Sequence, residues 1–457
     1  MPDELRRAAL ACIWPGFPGY EAPDWVLRRL AEGMGGVCLF GWNVRDVDQV
    51  AALTASLRAE NPDVLVSTDE EGGDVTRLEL ASGSSFPGNW ALGVVDDVEV
   101  TEEVAVGIGS LCARAGVNLD LAPVADVNSN PANPVIGIRS FGADPELVAR
   151  HVAAFVRGLQ RCRVAACAKH FPGHGDTAQD SHHELPRAEG DLSAALVPFR
   201  AAIAAGAKAI MTAHIVVPSY GDVPATVSRE LLTGVLRGEL GFDGLVVTDA
   251  LEMRGLADSV GVEEGAVRAL EAGADALCLG HDLADESVES VCAALVGAVE
   301  SGRLSAERLE EAGARIATVA EWAAHPQPVD TDTGVGLEAA RRAVRAEGGV
   351  HVEGRARVVE LLSDPNMAAG PAEHSLAQLL GGSDDGDGRT VVVLRDAHRY
   401  DWAREQTEQL LRENPDAIVV ETGVPYWRPP AARGYVATHG AGRANLEAAA
   451  EVLRGRT

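Results

Sequence analysis

The feature that most constrains the fold is a repeat of short, almost wholly apolar runs, each followed by a helical stretch. The runs fall at residues 9–13, 37–40, 64–68, 117–122, 164–168, 209–212, 245–248 and 276–279. They rarely alternate polar with apolar, so the strands they predict are buried on both faces, as in a parallel sheet. Helical spacing fills the gaps, at 24–32, 47–60, 99–115, 145–160, 192–205, 229–239, 262–272 and 287–301. Eight strand–helix units in about 300 residues predict an α/β fold, a (β/α)8 TIM-type barrel, rather than an open sheet.

A helical stretch at 305–324 closes this region. The segment 326–345 opens on a proline-, threonine- and glycine-rich run and reads as a linker. Beyond it, strands are expected at 357–362, 390–394, 417–421 and 435–438, and helices at 401–413 and 444–453. The expected organisation is a catalytic barrel at 1–325, the linker, and a small C-terminal α/β sandwich-like domain at 346–457.

Composition removes several functions. Lysine plus arginine total 39 against 68 for aspartate plus glutamate, a net charge of −29, which argues against nucleic acid or an anionic membrane as the main partner. No apolar run approaches the ~20 residues of a membrane span, and the N-terminus carries no secretory pattern. Seven cysteines without ligand-like spacing suit buried reduced thiols. The expectation is a cytoplasmic protein, a monomer or weak oligomer, with no metal and no cofactor.

The polar residues that end the runs point to chemistry. Asp69, Lys169, His170, His214, Asp249 and His281 each follow an apolar run. On a barrel they would share the rim at the carboxyl ends of the strands, where active sites are built. The richest segment, K-H-F-P-G-H-G-D-T-A-Q-D-S-H-H-E-L-P at 169–186, holds four histidines among glycines and prolines, so it reads as a long loop after a buried strand.

Asp249 could attack an electrophilic carbon as a carboxylate, or could cap the next helix. His182 could give and take a proton near neutrality, with Asp180 two residues earlier to orient the ring and stabilise its protonated form. Ser181 between them suggests a Ser/His/Asp hydrolase, but the three are nearly adjacent and no G-x-S-x-G elbow is present. His170, His174, Asp176, Asp180 and His182 offer metal ligands in number, yet on a Gly-Pro loop and not at helical spacing. Arg77, Arg139 and Lys169 are cations placed to bind hydroxyl, carbonyl or carboxylate groups, or to pair with neighbouring acids.

Taken together, K-H-F-P-G-H-G-D-T-A-Q-D-S-H resembles the motif of the β-N-acetylglucosaminidase branch of glycoside hydrolase family 3. Four further pieces agree in the family's order: D-E-E-G-G-D-V-T-R-L at 69–78, A-P-V-A-D-V-N…I-R-S-F-G at 122–142, M-T-A-H-I at 211–215 and V-V-T-D-A-L-E-M at 246–253. The resemblance covers about residues 1–325. It implies an exo-acting, retaining, two-step hydrolysis of a terminal β-linked N-acetylglucosamine, as in chitin or cell-wall fragments. Asp249 matches the nucleophile, and His182 with Asp180 matches the acid/base. Asp69, Arg77, Arg139, Lys169, His170 and His214 match positions that hold the sugar.

The sequence departs from the pattern at Glu70, where glutamine is common, at Asp74, where arginine is common, and at Ala250, where many relatives carry a second aspartate. His183 duplicates the histidine beside the acid/base. The C-terminal domain resembles two-domain relatives weakly, best at G-Y-V-A-T-H-G-A-G-R-A-N, and is expected to pack on the barrel without supplying catalytic groups. Competing expectations are a phosphorylase using the same site, a β-glucosidase, and a sugar-binding regulatory protein. Gly173 and Gly175 lead to the expectation that the second half of the 169–186 loop moves over Asp249 when substrate binds.

Overall fold

The computed structural model describes residues 2–179, 185–280, 284–330, 334–363, 368–369, 374–384, 386 and 388–456. Eight strands succeed one another in its first part: β1 (Ile13–Pro15), β2 (Gly36–Leu39), β3 (Leu65–Thr68), β4 (Leu119–Asp120), β5 (Ala165–Phe171), β6 (Ala209–Thr212), β7 (Leu245–Val247) and β8 (Leu277–Leu279). Strands β2 to β7 form a six-stranded parallel sheet in sequence order, and β8 pairs in parallel with β1. A parallel bridge between Val247 and Ala276 joins the two pieces. The α/β class and the parallel sheet expected from the sequence are therefore present, and the sheet curves as a half-barrel.

The strands are buried on both faces because helices cover the outside. Helices Val98–Arg114 and Pro145–Arg161 pack against each other and contribute Val104, Ile108, Val152, Phe155 and Leu159 to the core. The second starts where sequence dictates. Asp144 Oδ1 accepts from the N–H groups of Glu146 and Leu147 at 2.9 and 3.5 Å, and Pro145 occupies the first turn, where its missing N–H costs nothing.

The first strand differs from expectation. Residues 9–13 were predicted as strand, but Pro2–Ala11 is a helix and the strand begins at Ile13. The apolar run is continuous enough to suit either state; Ala9 and Leu10 are buried on the helix, and Cys12 is buried in the turn after it. The helix Asn89–Val95 was not foreseen, and part of the segment expected as linker is the helix Val335–Ala343.

The rest of the chain builds a second sheet from β9 (Arg345–Gly348), β10 (Arg357–Leu361), β11 (Thr390–Leu394), β12 (Ile418–Glu421) and β13 (Gly434–Ala437), in the order β10-β11-β12-β13-β9. Four strands are parallel and β9 is an antiparallel edge. Helix Arg443–Leu453 covers one face through Leu446, Ala449 and Leu453. Helix Asp401–Glu413 covers the other through Ala403 and Leu411.

Among the described residues no helix is long and apolar enough to cross a membrane.

Candidate active site

Parallel strands present all their carboxyl ends on one face, and the predicted site residues fall there. Asp69 follows β3, Lys169 and His170 lie near the end of β5, His214 follows β6, and Asp249 follows β7. In the β5–β6 ladder Ala168 pairs with Ile210 but Phe171 with Thr212, so β5 carries one extra residue at this point. Such a bulge re-aims side chains. It lets Lys169 and His170, adjacent in sequence, both enter the site.

Lys169 is the centre of a buried charge cluster. Its Nζ donates to Asp69 Oδ1 at 2.6 Å and meets Glu71 Oε1 at 2.7 Å. Arg139 grips Glu71 in two places, Nη2 to Oε1 at 2.8 Å and Nε to Oε2 at 3.0 Å. Arg77 Nη2 lies 3.5 Å from Asp69 Oδ2. Two carboxylates are thus held among three cations, in a place where an unpaired charge would cost several kcal/mol.

The protonation states follow from this packing. Burial opposes the charge on Asp69, but Lys169 and Arg77 outweigh it and hold the carboxyl well below the usual range. Burial likewise opposes charge on Glu71, and Arg139 and Lys169 bring it down to about 2. Lys169 is raised: burial would strip its proton, but Asp69 and Glu71 prevail. Hydrogen-bond acceptors of fixed charge and donors of fixed charge therefore stand side by side, as recognition of a polyhydroxylated ring requires.

His170 is held separately. Its Nδ1 lies 2.7 Å from Asp126 Oδ2, and Asp126 is fully buried. Asp126 Oδ1 also accepts the backbone N–H of His174 at 2.7 Å, which ties the start of the 169–186 loop to the segment after β4. The tie continues. Asn133 Nδ2 donates to the carbonyls of His174 and Thr177 at 2.8 and 3.0 Å, and a Cβ on Gly175 would stand 1.8 Å from the Val127 carbonyl oxygen. The loop is therefore anchored as far as Thr177.

On the opposite arc, His214 Nε2 donates to the Ala250 carbonyl at 2.9 Å, and its Nδ1 lies 2.8 Å from Thr226 Oγ1. A ring nitrogen facing a carbonyl must carry the proton, and Thr226 Oγ1 in turn donates to the Ala213 carbonyl at 3.0 Å. Asp249 is half-buried, and its Oδ1 accepts from the N–H of Ala250 at 2.8 Å. Glu252 Oε2 accepts from Gly280 N at 2.7 Å, pinning the same turn to the end of β8.

Four of the predicted residues, Asp69, Arg77, Arg139 and Lys169, thus meet in one network. His170 joins Asp126, and His214 braces the residue after Asp249. Asp180, His182 and the alternative His183 lie outside the described residues, as does His281 and the part of the loop expected to move. Sequence reasoning missed Glu71 and Asp126. Both stand in motifs already singled out. The available signal was that an acid flanked by apolar residues, as in A-P-V-A-D-V, needs a buried partner, and His170 was at hand. Among the described residues no group of three or more histidine, cysteine, aspartate or glutamate side chains is arranged to hold a metal ion.

Comparison with known proteins points to one family. Residues 21–319 match the family described as glycosyl hydrolase family 3 N terminal domain. Beta-hexosaminidase of Thiobacillus denitrificans is 37% identical over 371 residues, covering 78% of this chain and 97% of that protein. Beta-hexosaminidase A of Pseudoalteromonas piscicida is 36% identical over 347 residues, covering 69% of this chain; the match spans only 56% of that relative's length. Among solved structures, a glycoside hydrolase family 3 beta-N-acetylglucosaminidase from Paenibacillus sp. superposes with a TM-score of 0.90 at 34% identity, covering 99% of this chain and 97% of that one.

Proposed function

Because this chain belongs to glycoside hydrolase family 3 and is a glycosidase, we propose that it is an exo-acting, retaining β-N-acetylglucosaminidase that removes terminal β-linked N-acetylglucosamine from chitin-type or cell-wall oligosaccharides. Residues 1–325 are taken as a closed eight-stranded catalytic barrel, 326–345 as the connection and 346–457 as the second domain. One arrangement supports this reading above others: the buried Lys169–Asp69–Glu71–Arg139 network at the same sheet end as Asp249.

In the first step a carboxylate oxygen of Asp249 bonds to the anomeric carbon as the glycosidic C–O bond breaks. His182, protonated, delivers its proton to the departing oxygen, so the aglycone leaves as a neutral alcohol. In the second step neutral His182 takes a proton from water. The water oxygen bonds to the anomeric carbon, and the bond to Asp249 breaks. Two inversions give net retention. Asp180 stabilises the imidazolium of the first step. Asp69, ionised, accepts from ring hydroxyls, and Lys169 and Arg139 donate to ring oxygens. The cage orients the sugar and spares the reaction an entropic cost.

The experiment is a rate comparison of an aryl β-N-acetylglucosaminide with the matching aryl β-glucoside, each with and without inorganic phosphate. The proposal predicts faster release from the N-acetylglucosaminide, with free N-acetylglucosamine as product in both buffers. Sugar 1-phosphate as the main product would make it a phosphorylase. Preference for the glucoside would make it a β-glucosidase.

A further inference from the structure

Asp74 sits on the loop between β3 and the Asn89–Val95 helix, a few residues from Asp69 and Arg77. Its side chain is 5% exposed, and its partners lie in the second domain. Its Oδ2 pairs with Arg395, just past β11, and its Oδ1 accepts from the N–H of Ala441, just past β13, at 2.7 Å. Next to it the two backbones touch: a Cβ on Gly442 would stand 2.7 Å from the Cα of Gly73. Farther along the same loop, Ser84 O accepts from Ala444 N at 3.1 Å, and Gly83 O accepts from Arg443 Nε at 3.2 Å.

The second domain grips the other cage loop as well. His398 Nε2 donates to the carbonyl of Pro131 at 2.8 Å. Val424 packs with Trp90 and Ile138, the residue before Arg139. Tyr426 stands edge-on to Trp90 at 5.8 Å and to His398 at 5.1 Å. The gripping turns are themselves fixed. Glu421 accepts from the N–H groups of Asp396 and Gly423 at 2.9 and 2.7 Å, and Asp396 Oδ1 accepts from Val424 N at 2.9 Å.

The two gripped loops are those that carry the two ends of the Glu71–Arg139 pair. We infer that the second domain is a clamp for the sugar cage: Asp74 and Arg395 are positioning residues that act on substrate binding through Asp69, Glu71 and Arg139. This rests on the function proposed above, since it names what holds that same site together. An aspartate at position 74, where the motif commonly has arginine, is explained by the cation it meets across the domain boundary.

The test compares Arg395→Met, Arg395→Lys, Asp74→Asn and the Asp74→Asn/Arg395→Met double variant in the full chain. KM and kcat are measured on the aryl β-N-acetylglucosaminide, and backbone hydrogen exchange is followed without substrate. Arg395→Met should raise KM about tenfold or more with a smaller change in kcat, and should speed exchange in segments 70–79 and 134–142. Arg395→Lys should restore most of the loss, and the double variant should be no worse than the poorer single one. Unchanged KM and unchanged exchange in those segments would overturn the inference. So would faster exchange spread evenly over both domains, which would mark a merely structural contact. Hydrogen exchange needs no turnover, so if the chain proved inactive on the aryl glycoside, the function would fail while the clamp was still tested.

Discussion

Lys169 Nζ and Glu71 Oε1 meet at 2.7 Å with both side chains 2% exposed. A pair so deeply buried is held by its neighbours on either side, Asp69 and Arg139, and not by solvent. It makes the buried charge cluster a single electrostatic unit, in which no member can be removed without stranding another.

Lys169→Met tests that unity. It leaves Asp69 and Glu71 facing each other without their shared cation. Breaking one partner of a buried pair costs about 3–5 kcal/mol, so urea denaturation should show a loss of that order beside a collapse in activity. A stability change below about 1 kcal/mol, the range of an exposed pair, would contradict the buried network.

Glu70 gives a pH prediction. Its Oε2 accepts from the N–H groups of Arg77 and Leu78, both at 2.9 Å, while Oε1 finds no partner among the described residues. Burial pushes its carboxyl up from 4.5 to about 7. The folded state therefore holds a proton that the unfolded state has lost. The stability this contributes is complete below about pH 4.5 and disappears as pH rises through about 7. Glu70→Gln carries a permanent neutral group, so its stability relative to the parent should rise across that window. Parallel stability–pH curves for the two proteins would rule the argument out.

His214→Ala addresses the bracing of the turn that carries Asp249. Both ring nitrogens are engaged within the protein, at Ala250 O and Thr226 Oγ1. Loss of the ring should lower kcat by about ten- to a hundredfold, because misplacement of a reacting group by an ångström is enough to do so, with a smaller rise in KM. A large KM effect at constant kcat would instead make His214 a sugar-binding residue alone.

His182→Ala bears on the proton. Aglycones that leave easily need little acid assistance, so the variant should be much slower on alkyl glycosides and partly spared on nitrophenyl glycosides. Steady-state kinetics on a leaving-group series checks this; equal loss along the series would remove His182 from the acid role.

Much of this was readable in the sequence, for a physical reason. Runs such as those of β6 and β7 end in a polar residue, and a parallel sheet puts all such residues on one face. Asp69, Lys169 and Asp249 could therefore be picked out before any contact was known. Partners were harder. Glu71 meets Arg139 from 68 residues away, and Asp126 meets His170 from 44. A carboxylate that will be buried has the same chemistry in sequence as one that will be solvated. The first strand was misplaced because an apolar run without glycine or proline fits a buried helix as well as a strand. Strand β9 was missed because all four of its residues are exposed, so it carries no apolar pattern. Its place is set by pairing with β13. The role of Asp74 was hidden for the same reason as Glu71: its cation lies 321 residues downstream.

The central claim is that Asp249 forms the covalent bond to the sugar. It is tested most directly by reacting the enzyme with a slowly turned-over fluorinated N-acetylglucosaminide, digesting it, and locating the label by mass spectrometry. The account predicts one glycosyl unit per chain, on Asp249. A label on a different carboxylate, or turnover of that compound with inverted product and no labelled peptide, would contradict it.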